Sequence, residues 1–252
     1  MLNLSFTSCS EFSVYKEGVT WRVRSGVAGL DQLMNGGFPM GSICLIKDPH
    51  QEFGVHLLRC FLGEGSINSD SLHVFSKFKI LLPGVDTTSD TYSKYHTFAL
   101  NSEVQSPYEF DLSDVVESED LQYTPVETSK DRFKHVWDTV NWNLSQAKIS
   151  NQLKTNRIVI YGIFDEKAPQ FEIYQFLKSL KTLLKSKNAV CLVLQQNPHQ
   201  NYSKLLEEAS EVKITVSNTS ESEARVNITN SRSKSAVCAT LALEDSFIKV
   251  IT

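Results

Sequence analysis

The chain has few cysteines and no cysteine pairs. Five stand singly at positions 9, 44, 60, 191 and 238, an odd count without a CxxC, which argues against a disulfide framework and a zinc site. A reducing compartment fits that pattern. The sequence also lacks an excess of positive charge: 25 Lys and Arg stand against 29 Asp and Glu, for a formal net charge of −4. No overall field therefore draws the protein to nucleic acid or to an anionic membrane, and any RNA contact must be local. The opening MLNLSFTSCSEFS has no basic stretch followed by an apolar run, and no segment approaches the roughly 18 apolar residues of a membrane span. The expectation is a cytoplasmic protein, extending to the nucleus, with no membrane partner. No internal repeat emerges.

What is present is enough apolar residue for one large core, 41% of 252 residues, and a single domain over 1–252 is expected. SICLIKD at 42–48 is a short apolar run, and QEFGVHLLRCFLGEG places Phe53, Leu57, Leu58, Phe61 and Leu62 at helical spacing; SLHVFS at 71–76 is a second run. This β-α-β order calls for a parallel sheet with a right-handed crossover. Residues 84–130 lose periodicity and fill with Ser, Thr, Asp and Glu, which reads as a surface excursion; residues 1–24 read as an N-terminal extension.

From 131 the helical stripe returns in Phe133, Trp137, Val140 and Leu144. RIVIYGI at 157–163 and NAVCLVLQQ at 188–196 read as buried strands around the amphipathic helix FEIYQFLKSLKTLLKSK. VKITVS, ARVNIT, AVCATLAL and SFIKVIT, separated by polar turns, predict antiparallel strands closing the sheet.

SGVAGLDQLMNGGFPMGSICLIKD at 25–48 resembles the entry to RecA-like domains of the RadA and KaiC type, where a short helix carrying LDxLLGGG precedes a turn and the first core strand. HLLRCFLGEGSINSDSLHVFS at 56–76 is similar to the "LLLKYFLAEG" helix of the fourth-subunit family of the Elongator complex and the strand after it. YEFDLS at 108–113 is similar to that family's YxxxFDLS-type segment, though Tyr108 stands only two residues before Phe110. The resemblance runs from about Ser25 to the end.

It implies a RecA-like three-layer α/β/α fold, with a mostly parallel central sheet and antiparallel C-terminal strands. It further implies a ring of two copies each with the fifth and sixth Elongator subunits, association with the catalytic Elongator core, and binding of tRNA for wobble-uridine modification.

A phosphate loop needs GxxxxGK[ST], whose amides cradle phosphate while Lys reaches its oxygens and the hydroxyl holds magnesium. The corresponding stretch is Pro49, His50, Gln51, Glu52, Phe53, Gly54, Val55 and His56, with Val55 at the Lys position, His56 at the hydroxyl position and Glu52 adding negative charge. The end of the second strand offers Phe75, Ser76 and Lys77 in place of a carboxylate, and the magnesium-supporting Asp falls near Tyr161; Asp165 and Glu166 read as acidic loop residues.

These departures predict a pseudo-ATPase with no catalytic residues, no cofactor and no metal. An active NTPase with a displaced phosphate loop and a recombinase-type DNA-repair adaptor remain as alternatives. His50, His56 and His73 match no ligand spacing and read as polar or packing residues. Lys178, Lys181 and Lys185 read as the solvated face of their helix, Trp137 as core, and Trp21 and Trp142 as core or interface. Candidate tRNA contacts are Lys167, His199 and Lys204 in loops leaving the central strands, for which surface-loop polarity accounts about as well, and Arg232 and Lys234 at a hairpin tip, where a contact to a neighbouring subunit's site or, in preference, plain solubility are the other readings.

Overall fold

A computed structural model of the chain describes residues 14–17, 20–85, 110–116, 121–127, 129, 131–146, 154–164, 168–196, 202–231, 234–244 and 247–251. The first strands, β1 (Val14–Glu17), β2 (Thr20–Val23) and β3 (Phe38–Pro39), form a small antiparallel sheet, with helix α1 (Ala28–Leu33) lying between β2 and β3 in the chain. Part of the expected N-terminal extension is thus woven into the fold, because Val23 is fully buried and β2 pairs with β3. The turn after α1 needs glycine: Gly37 has φ 106, and a Cβ there would stand 2.3 Å from the Val23 carbonyl oxygen.

The core strands follow as β4 (Ile43–Lys47), β5 (Ser71–Ser76), β6 (Leu82–Val85), β7 (Phe110–Val116), β8 (Leu121–Pro125), β9 (Asn156–Tyr161) and β10 (Ala189–Gln195). The chain ends with β11 (Val212–Asn218), β12 (Glu223–Asn230), β13 (Ser235–Glu244) and β14 (Phe247–Ile251). The nine-stranded sheet has the order β14-β13-β12-β11-β4-β10-β9-β5-β8. Pairs from β11 through β8 are parallel and those from β11 out to β14 are antiparallel. The architecture is that of a RecA-like α/β/α domain.

Period-two side-chain alternation divides the central strands between two cores. Cys44, Ile46, Val159, Val190, Leu192 and Leu194 face α2 (Glu52–Ile67), while Ile43, Leu45, Ile158, Ile160, Cys191 and Val193 face the other layer. That second layer holds α3 (Arg132–Gln146), α4 (Gln170–Ser186) and α5 (Ser203–Ala209). Helix α4 buries Ile173, Phe176, Leu177, Leu180, Leu183 and Leu184, spaced by threes and fours, and each such leucine stabilises by roughly 1.5–3 kcal/mol. Lys178 and Lys185 lie on its exposed side, whereas Lys181 is half-buried and donates to the Ala209 carbonyl at 3.0 Å.

Two expectations need correction. The 84–130 stretch contributes strands and is more than a surface excursion: β8 pairs in parallel with β5 at the sheet edge, and β7 carries buried Phe110 and Leu112 into the α2-side core. A short strand such as β8, LQYTP, leaves little sequence signal because it is held by backbone pairing and its one apolar face, Leu121 and Tyr123, is only partly buried against the α2-side core. The polar segment at 195–204 likewise leads into α5, so Lys204 lies on a helix.

Candidate functional site

In open α/β sheets ligands bind beyond the carboxyl ends of the strands, and there the loop after β4 meets the ends of β9 and β10. Four residues, Asp48 to Gln51, separate β4 from α2, so Glu52 already opens the helix and Gly54 lies in its first turn. Val55 and His56 are therefore helical and half-buried, at the positions where a phosphate loop carries its lysine and hydroxyl. His50 is exposed, and Glu52 is an exposed residue that accepts the Asn218 side-chain amide at 3.3 Å.

Asp48 organises this connection. It is fully buried, its Oδ1 accepts the His50 amide at 3.0 Å, and its Oδ2 accepts the Gly54 amide at 2.7 Å. Its own amide donates to the Gln195 carbonyl at 3.2 Å, which fixes the loop to the end of β10. Gly54 permits the approach: a Cβ there would lie 2.6 Å from Leu194 Cδ1 and 3.2 Å from Asp48 Oδ2. Gln51, the residue just before α2, sits in the left-handed region at φ 70, a conformation that costs of order 1–3 kcal/mol and persists only where its surroundings impose it. The surroundings are the Tyr161 hydroxyl, which donates to Gln51 Oε1 at 2.8 Å, and Gln196 Nε2, which donates to the same oxygen at 3.2 Å.

Tyr161 stands at the position of the magnesium-supporting Asp of an active RecA-like site. Burial raises its pKa, and its ring packs against half-exposed Phe78 with centroids 5.3 Å apart. At the end of β5, Phe75 and Ser76 are buried, and the Ser76 hydroxyl accepts the Phe78 amide at 3.0 Å. Lys47 is tied to Glu207 at 2.6 Å, and this bond holds the Glu207 carboxyl below its ordinary pKa. Burial, then the neighbouring Arg59 charge, lowers the His56 pKa; His73 is lowered by burial too, with its Nδ1 3.4 Å from Asn143 Nδ2. Among the described residues no group of three or more His, Cys, Asp or Glu is arranged to hold a metal ion, and no helix is long and apolar enough to cross a membrane.

Of the sequence-derived tRNA candidates, Lys204 is exposed on α5 with Glu208 3.9 Å away, and Lys234 is exposed with φ 52 between β12 and β13. Lys167, His199 and Arg232 lie outside the described residues, as do Tyr108, Asp165 and Glu166. Trp137 is half-buried against the α3–α4 core, and Trp21 and Trp142 are exposed. Sequence reasoning missed Asp48, the residue immediately before the aligned loop. The signal was available: an acidic residue directly after an apolar strand, with a glycine six positions on in the first turn of a helix.

Sheet order, flanking layers and a strand-to-helix loop at the carboxyl edge define a RecA-like α/β domain with a phosphate-loop position that carries no lysine. Residues 17–105 match the family model described as PAXNEB protein, the family of the fourth Elongator subunit. The match spans β2 through β6 and the whole degenerate loop, about a third of the chain, and is consistent with the resemblance read from the 56–76 helix and strand. No curated protein matches the chain.

Proposed function

We propose that this chain is a non-catalytic, RecA-like ring subunit of an Elongator-type accessory heterohexamer. In this reading it assembles with the fifth and sixth Elongator subunits, docks on the catalytic Elongator core and supports tRNA binding in wobble-uridine modification, in the cytoplasm and nucleus. The observation that carries it is the β4–α2 connection: a phosphate-loop position within a PAXNEB-like segment, with helical Val55 and His56 where phosphate chemistry needs a cation and a hydroxyl. A subunit without that cation contributes shape and surface to a ring and does not itself transfer phosphoryl groups.

Native mass spectrometry of the chain co-expressed with the fifth and sixth subunits from the same source, with and without tRNA, tests the proposal. The expected result is a six-chain assembly with two copies of each subunit that retains tRNA. A chain that stays alone or only self-associates overturns it. Titration of the isolated chain with Mg-ATP is expected to show no binding in the micromolar range.

A further inference from the structure

We infer that the degenerate loop carries its own anion: the Asp48 carboxylate fills the seat that a phosphate takes in an active loop, and keeps it closed to phosphate from outside. The inference rests on reading 49–56 as a former phosphate loop, and it concerns this chain alone. The first amides of a helix have no partner within the helix and face outward with partial positive charge, so an anion belongs there. Here one amide of the first turn, Gly54, and one of the preceding loop, His50, both donate to the two oxygens of one carboxylate that is fully out of water.

Three further features make this a built arrangement. Gly54 has no Cβ to hold the carboxylate off. Gln51 is kept in its left-handed conformation from two sides, by Tyr161 and Gln196. The Asp48 amide is tied to Gln195, which fixes at the end of β10 the main chain from which the carboxylate reaches. An incoming phosphate would compete with a covalently tethered anion for the same two amides, with Val55 offering no charge to favour the newcomer.

Hydrogen exchange and amide chemical shifts of the isotope-labelled full chain and of its Asp48→Asn and Asp48→Gly variants provide the test. In the unsubstituted chain the Gly54 amide is expected to be protected. Asp48→Asn is expected to lower that protection about 10- to 100-fold, the change that accompanies loss of a charge-assisted hydrogen bond. Inorganic phosphate added at constant ionic strength is expected to shift the Gly54 and His50 amides in Asp48→Gly and to leave them unmoved in the unsubstituted chain.

The inference is overturned by a Gly54 amide that exchanges like an unprotected one, by phosphate shifts of equal size in both proteins, or by a folded Asp48→Gly that ignores phosphate. Should Asp48→Gly fail to fold, the exchange and phosphate response of the unsubstituted chain still decide. None of these readouts involves partner subunits, so failure here and failure of ring assembly are separate results.

Discussion

Arg157 Nε donates to Asp70 Oδ2 at 2.7 Å, and this ion pair, with both side chains almost entirely out of water, ties β9 to the turn that leads into β5. The guanidinium also donates to the Arg24 and Phe61 carbonyls, at 2.7 and 3.0 Å, and lies over the Phe61 ring with its centre 4.7 Å from the ring centroid. One side chain thus joins the N-terminal segment, α2 and the sheet.

Arg157→Ala is expected to cost about 3–5 kcal/mol, because it leaves a buried carboxylate without its principal cation and removes the donor that bridges the Arg24 and Phe61 carbonyls. Asp70→Ala is expected to cost a comparable amount. The double variant is expected to lose less than the sum, with a coupling of about 1–3 kcal/mol in urea unfolding. Strict additivity would show that the pair does not act as a unit.

Asp31 is buried beside Ser25, whose amide donates to its Oδ1 at 2.8 Å, and burial pushes its pKa up to about 7. The nearby Glu64 adds to the rise, while the Ser25 hydrogen bonds and Arg24 oppose it. In the unfolded chain the group ionises near 3.8, so between about pH 4 and 7 the folded state holds the extra proton. Stability from this group is therefore present below that window and is lost as pH rises through it, by on the order of 2–4 kcal/mol. The stability of the unsubstituted chain relative to Asp31→Asn is expected to fall between pH 4.5 and 7.5. A pH-independent difference would contradict the assignment.

Phe110 is almost fully buried, its ring so close to α2 that a Cβ on Gly63 would stand 2.7 Å from it. Phe110→Ala is expected to cost about 3–5 kcal/mol by thermal or urea unfolding. Val115→Ser, at an exposed position on the same strand, is expected to change stability by less than about 0.5 kcal/mol. A Phe110→Ala effect as small as that of Val115→Ser would restore the view of 84–130 as a surface excursion.

Lys204 pairs at 3.9 Å with Glu208 on an exposed turn of α5, a bond worth little in water. Lys204→Ala is expected to leave stability within about 0.5 kcal/mol. If the assembled ring uses this lysine on a phosphate, the slope of log binding constant against log salt for tRNA falls by about 1. An unchanged slope removes Lys204 from the interface.

The fold was legible in sequence where side chains report burial. ICLIK, RIVIY and AVCLVL are apolar on both sides because both sheet faces are covered, and α2, α3 and α4 declare themselves by stripes of three and four. The missing lysine at Val55 was visible for the same reason, as a matter of residue type at a position. The strand β8 was not visible, since its place depends on backbone bonds to β5 and its side chains remain partly in water.

The α/β alternation, the position of the loop between first core strand and helix, and Val55 at the lysine position are properties of the residue order alone. It took the folded chain to place β8 beside β5, to bring Arg157 to an acid 87 positions away, and to carry Tyr161 to Gln51 across 110. The same holds for Asp48: its identity was plain, but its carboxylate meets Gly54 because the connection is only four residues long and anchored to Gln195. Local patterns record what a residue prefers to be near. Which partner satisfies a buried charge is set by the path of the chain through space, and no window along the sequence contains it.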